Sequence, residues 1–262
     1  MEDAGLAKQN DPRHLSVSKD SDTPGTSDGT SIRLEASLIN LKPNINALDY
    51  AIDDPDSSGD PNGELFRVEP DEETGYRYAF WVNTPKLPFE IGIRHSDLDG
   101  TWHSEREDDG AGALWHTRMH PDSSIDSAIT SADATYDLDY QVTDIEARKH
   151  FTLFDSVDGA FLGGIRFARI ESKFYVDYVD GGNEARFNEE SKTSGFGPYI
   201  GFESGWQLPY GFRLDGMINF CLLHSDTDFE ANDDVDEGKI TSTEKNMVFQ
   251  GVVYTLGLEK RF

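Results

Sequence analysis

The residues with chemical potential in this sequence are charged side chains set singly between apolar ones, not a compact catalytic group. Glu35, Arg77, Glu90, Arg94, Arg166, Glu203, Arg213, Asp215 and Glu259 each alternate with hydrophobic neighbours, so in extended backbone they share the face opposite those neighbours. A face carrying both signs can line an aqueous lumen or cancel internally, and buried charge is tolerable only when paired. The acidic loop from Asp53 to Glu64 has the hard oxygen donors that calcium prefers, but counting from Asp54 the twelfth position is Leu65, not a bidentate acid. A solvated surface loop is the better reading there, and equally for Asp226, Asp228, Asp233, Asp234 and Asp236. His116 and His120 have the spacing of a helical metal pair, yet Thr117 stands where a metalloprotease needs Glu. No Gly-x-Ser-x-Gly elbow is present, and Gly195, Gly197, Gly201 and Gly205 alternate along a strand pattern instead of forming a phosphate cradle. The sequence therefore points away from an enzyme and assigns no metal and no cofactor.

The elements that position these charges are strands. From Ser31 onward apolar residues recur with period two: Ile32 to Leu38, Tyr76 to Val82, Phe89 to Ile93, Tyr136 to Phe151, Phe161 to about Tyr178, Phe196 to Leu208, Phe212 to Leu222, and Val252 to Phe262. Within the fourth run the apolar phase shifts near Thr143 and Asp144, which predicts a β-bulge, and the fifth shifts near Ile170. Connections alternate in length: 51–74 long, 83–88 short, 96–134 long, 152–160 shorter, 180–192 long, 209–210 tight, 225–245 long. In an up-and-down barrel alternate connections lie at opposite ends, so the expected fold is an antiparallel transmembrane β-barrel of about eight strands. One rim carries long acidic loops and the other short turns.

Composition agrees. With 50 acidic and 23 basic residues the net charge is -27, which repels nucleic acid or an anionic bilayer surface and favours cations; a transmembrane barrel would add outer-membrane lipid and small solutes as expected partners. The single Cys221 excludes an internal disulfide, and no run approaches the ~20 apolar residues of a membrane helix. Residues 1–30 carry too few apolar side chains to offset ordering and read as a disordered arm, leaving 31–262 as the barrel. They have no leader-like segment, so export would require one already removed. Trp206 and Tyr210 flank the tightest turn, where aromatics suit a membrane interface, and Phe262 ends the chain in phase with the apolar face of its strand.

The segments LGGIRFARI, from Leu162 to Ile170, and SGFGPYIGFESGWQLPYGFRLDGMINFCLLHSD, from Ser194 to Asp226, resemble the Legionella-type major outer membrane protein family. YDLDYQVTDIEARKHF, from Tyr136 to Phe151, is similar to it as well, and LEASLINLKPNINALDYAI and ETGYRYAFWV more weakly. The acidic stretches 53–73 and 226–244 depart from its pattern. The resemblance implies a bacterial outer-membrane barrel with a porin-like role, passing small polar solutes or ions and preferring cations if the acidic loops guard its mouth. The terminal Phe262 resembles the signal read by barrel-assembly machinery. Because about eight strands leave a bore that side chains can fill, the alternative is a non-conducting barrel that anchors in the membrane or binds through its loops. A soluble acidic barrel or sandwich would instead require the apolar faces to point inward.

Overall fold

The computed structural model describes residues 8–9, 29–45, 47–57, 59, 61–119, 128–154, 156–233 and 239–260, with backbone alone at 8–9, 153–154, 211, 250 and 252–260. Twelve strands are formed among them: β1 (Lys8–Gln9), β2 (Ser31–Lys42), β3 (Asp49–Asp54), β4 (Leu65–Arg67), β5 (Glu73–Asn83), β6 (Glu90–Glu107), β7 (Ala113–His116), β8 (Ser131–Phe154), β9 (Val157–Asp180), β10 (Asn183–Gln207), β11 (Phe212–Asp233) and β12 (Ile240–Lys260). One 3-10 turn covers Pro209–Gly211. The large sheet has the order β1-β2-β5-β6-β8-β9-β10-β11-β12, a meander in which each long strand pairs antiparallel with the next. The eight alternating runs of the sequence fall in its long strands except at their ends, where Phe89 and Leu208 lie just beyond the strands and Phe262 lies outside the described residues. No ladder joins β2 to β12 among the described residues, so hydrogen bonding does not close this sheet into a ring.

One sequence expectation is corrected by the register. β8 pairs without interruption from Ser131 to Thr152, and its shift falls between Thr152 and Phe154, not at Thr143 or Asp144. β9 likewise runs through Ile170 unbroken against β8 and β10. What changes at these points is the chemistry of the two faces. In the lower part of β8 Asp144, Glu146 and Arg148 are buried and Ile145 is exposed, whereas above Thr143 the same buried face carries Val142 and Tyr136. A bulge and an exchange of face chemistry give the same sequence pattern, and only the pairing tells them apart.

The exchange recurs at one level across the sheet. Below it the outward side chains are apolar: Ile32 and Leu34 on β2, Tyr76, Tyr78 and Phe80 on β5, Ile91 and Ile93 on β6, Phe161, Ile165 and Phe167 on β9, Ile200 on β10, and Ile218, Phe220 and Leu222 on β11, all exposed. The apolar stretches, such as Phe196 to Trp206, match the ~9–11 residues with which a tilted strand crosses a bilayer. Such a band far exceeds the few hundred Å² a soluble monomer exposes, and it rules out the inward-facing arrangement a soluble sandwich needs. Above the level the outward positions become Asp97, Asp99, Asp137, Asp139, Arg169, Glu171, Lys173, Glu190, Lys192, Asp226 and Asp228.

The connections are correspondingly more structured than their composition suggests. The expected long loop 180–192 is a two-residue turn, Gly181–Gly182, with φ of 54° and 124°, and the rest of it is strand. Paired positive φ values match the right-handed twist of a hairpin, which is why glycines stand there. Segments at 49–54, 65–67 and 113–116, in or at the edge of the expected long loops, supply β3, β4 and β7, a second sheet of order β4-β3-β7. It packs on the extended upper strands through Leu48, Tyr50, Ala51, Val68, Leu114 and Ile129 against Tyr136, Phe174, Val176, Tyr178, Ala185 and Phe187, which form the main apolar core. The Tyr178 hydroxyl donates to the Tyr50 carbonyl at 2.7 Å, and Tyr50 meets Ser104 at 2.9 Å, so this core also satisfies its phenols.

Candidate functional site

The face opposite the apolar band collects buried charge. Arg94 donates to Glu146 at 2.6 Å, and its guanidinium lies 3.6 Å from Glu203, which Arg148 reaches at 3.2 Å. Arg166 holds Asp144 with both Nε and Nη2, at 2.7 and 2.8 Å, a bidentate geometry that only a planar guanidinium provides. Nearer the short turns Arg213 bridges Asp158 and Asp215, and Arg33 joins Glu90 at 2.9 Å and Glu35 at 3.1 Å. Trp81 lies across Gly92, where any β-carbon would collide with its ring, and the Arg148 guanidinium stacks 3.9 Å from the indole centroid.

These contacts span strands that are not neighbours. Arg148 on β8 reaches Glu203 on β10, and Arg166 on β9 approaches Cys221 on β11 at 3.9 Å. Arg94 on β6, third in the order from β2, meets Met217 on β11, the seventh, at 3.9 Å. The charged face is therefore concave, and side chains meet across it. Of the expected lumen set, Glu35, Arg77, Glu90, Arg94, Arg166, Glu203, Arg213 and Asp215 all lie on this face, while the side chain of Glu259 is outside the described residues. The expected lumen set omitted Arg33, Asp144, Glu146, Arg148 and Asp158, which take part in most of these pairs. The signal was present: opposite Ile145 and Ala147 the alternation leaves only these three charged residues of β8.

A family model described as the Legionella pneumophila major outer membrane protein precursor matches residues 26–259. The chain belongs to this family. It is accordingly a protein of the bacterial outer membrane, as the resemblance of its central strands implies. No curated protein and no solved structure matches it.

In a protein of the outer membrane an exposed apolar band of this kind suits contact with lipid. Phe151, Phe161 and Phe202 form a cluster with ring centroids 4.9 to 5.8 Å apart near the short turns, and Trp206 and Tyr210 stand exposed beside it. Phe167, Phe196 and His224 form a second group at the upper edge, with successive centroids 6.4 and 6.0 Å apart. Aromatic groups at the two ends of an apolar band are what membrane interfaces favour. Phe262 and His120 lie outside the described residues, and His116 sits in β7 with its ring 5.9 Å from that of Tyr178.

Just above the upper girdle, Asp97, Asp99 and Asp139 bring carboxylate oxygens within 4.8 Å of one another. The register sets Asp99 directly beside Asp139, and Asp139 beside Glu171. Desolvation, then the charges of Asp99, Asp97 and Glu171, raises the Asp139 carboxyl above the ordinary range. The calcium-like loop at Asp53 to Glu64 organises itself: Asp54 is buried and its carboxylate accepts the Gly59 backbone N–H at 2.8 Å.

Proposed function

We propose that the large sheet closes, β2 against β12, into a narrow outer-membrane barrel that does not conduct. In this reading its bore is filled by ion pairs within the membrane and stoppered above it by the small sheet. The protein then serves as a lipid-embedded anchor that presents a folded acidic cap at the long-loop rim. The observation that carries this is the contact between Arg94 and Met217, since the third and seventh of eight strands stand half-way round a closed barrel from each other. An eight-stranded bore is just wide enough for side chains to fill. The pairing of Arg94, Arg148 and Arg166 with acids supports filling by a satisfied network, and the apolar core between the small sheet and β8 to β10 supports a stopper. No catalytic role is part of this reading, and outer-membrane lipid is its main partner.

A porin-like role is the second reading, favoured by family membership and by the net charge of -27, which would raise cation concentration at an open mouth. Single-channel recording of the refolded chain in planar bilayers separates the two, with heat-modifiable gel mobility as the check on folding. Folded protein without discrete steps is expected. Discrete steps would overturn the filled bore, and their reversal potential in a salt gradient would then test cation preference.

A further inference from the structure

Among the described residues no ladder joins the small sheet to the large one, so side chains make the ties between them. Besides the Tyr178 to Tyr50 bond and the Tyr50 to Ser104 contact, Arg106 on β6 stands 3.7 Å from Asp53 on β3. The remaining charged tie runs from Arg118, just after β7, to Glu189 on β10, at 3.6 Å. Arg118 belongs to the cap: its Nε donates to the Asp49 carbonyl at 2.8 Å, its Nη2 donates to the Ala47 carbonyl, and its guanidinium lies 5.5 Å from the Phe174 ring centroid. Glu189 belongs to the wall, where the register sets Ala231 on one side of it and Phe174 on the other. Its side chain is 24% exposed, it makes no hydrogen bond among the described residues, and Arg118 stands beyond hydrogen-bonding distance. A carboxylate so placed is poorly solvated, and desolvation outweighs the attraction of Arg118, raising the Glu189 carboxyl above its ordinary range. The other titratable or charged groups around it are Tyr136 on β8, Tyr178 on β9, Asp233 on β11, and, in the cap, His116 and the Asp49–Arg67 pair. Burial raises both tyrosines, so neither ionises where a carboxylate titrates.

We infer that docking of the cap is coupled to a proton on Glu189: the small sheet sits tightest when Glu189 is protonated and loosens when it ionises. Because no ladder joins the two sheets, the small one can lift by giving up side-chain contacts alone, a local opening of the kind that precedes global unfolding. Lifting carries Arg118 away and gives Glu189 to water, where its carboxyl returns to the ordinary value of about 4.3. The docked state therefore holds the proton more tightly than the lifted one, and linkage makes acid favour docking. The stabilisation appears as pH falls through the raised value and is complete below the ordinary one. Arg118 limits the displacement of this window, since its charge favours the ionised form. The inference deepens the reading of the small sheet as a stopper and rests on it for its consequence, that an acid medium seals the long-loop rim.

The test is amide hydrogen exchange of the full chain refolded in micelles, read at β3 and β7 and corrected for the intrinsic pH dependence of exchange. Local opening of the small sheet is expected to fall by up to about tenfold per pH unit as the medium is acidified through the window. Glu189→Gln, which keeps the shape and cannot ionise, should stay protected at every pH. Equal pH dependence in both proteins, as titration of His116 or Asp233 would give, overturns the coupling, and so does none in the unaltered protein. If Glu189→Gln fails to fold, Arg118→Gln decides: without the cation the window should move to higher pH, and an unmoved window overturns the coupling. Discrete conductance steps would defeat the stopper reading and leave the measured coupling standing, whereas a silent barrel whose cap ignores pH sinks the coupling alone.

Discussion

At the scale of single residues, Asp139 shows how this surface tolerates charge. It stands in register between Asp99 and Glu171, like charges directly opposed across strands, an arrangement that costs about 0.2–1 kcal/mol per pair. Because its carboxyl is raised in the folded protein, the ionised form weakens the fold at neutral pH, and protonation relieves that cost. The relief begins as pH falls through the raised value and is complete below the unfolded value of about 3.9. Asp139→Asn should therefore stabilise the protein by about 0.5 kcal/mol at pH 7, with the advantage shrinking at acid pH. Urea midpoints measured at pH 7 and pH 4 check both statements, and a variant no more stable at pH 7 would show that water already screens the pair. Nothing in the residue types announces this, since Asp99 and Asp139 become neighbours only through the β6 to β8 register.

At the scale of elements, each long strand is two strands chemically. β10 presents Arg186, Glu190 and Lys192 outward in its upper half and Phe196, Ile200, Phe202 and Trp206 in its lower half, on one uninterrupted face. Ile200→Lys, in the apolar band, should destabilise the protein in lipid by about 2–4 kcal/mol, while Lys192→Ile, above the band, should change stability by less than about 0.5 kcal/mol. Folding equilibria in phospholipid vesicles measure the contrast, and equal costs at the two positions would refute the boundary. The existence and order of these strands were legible from period-two alternation. Their lengths were not: the polar stretches 183–192 and 225–233 read as loops, because a strand whose outer face meets water and whose inner face packs a small sheet loses its simple hydrophobic signal. The Gly181–Gly182 pair was the available clue that a hairpin, not a long loop, turns there.

At the scale of the whole molecule, the arrangement is a globular protein turned inside out below one level and the right way round above it. Lipid favours apolar groups outside and leaves charges to pair within, and water reverses both preferences. Of the four tryptophans, Trp206 is exposed on the band whereas Trp81 lies buried against Arg148. Brominated acyl chains should accordingly quench a variant retaining only Trp206 and leave one retaining only Trp81 bright. Strong quenching of Trp81 would mean that the charged face meets lipid. The sequence by itself determined the antiparallel all-β class, the family, the apolar band and the face on which Arg77, Arg94 and Arg166 lie, because alternation and composition are local properties of the chain. Only the tertiary structure decided which acid each arginine holds, that Arg94 meets Met217 across the concave face, and that the long connections fold into a second sheet. Those facts depend on strand register and sheet curvature, which arise from pairings between distant segments that no local pattern encodes.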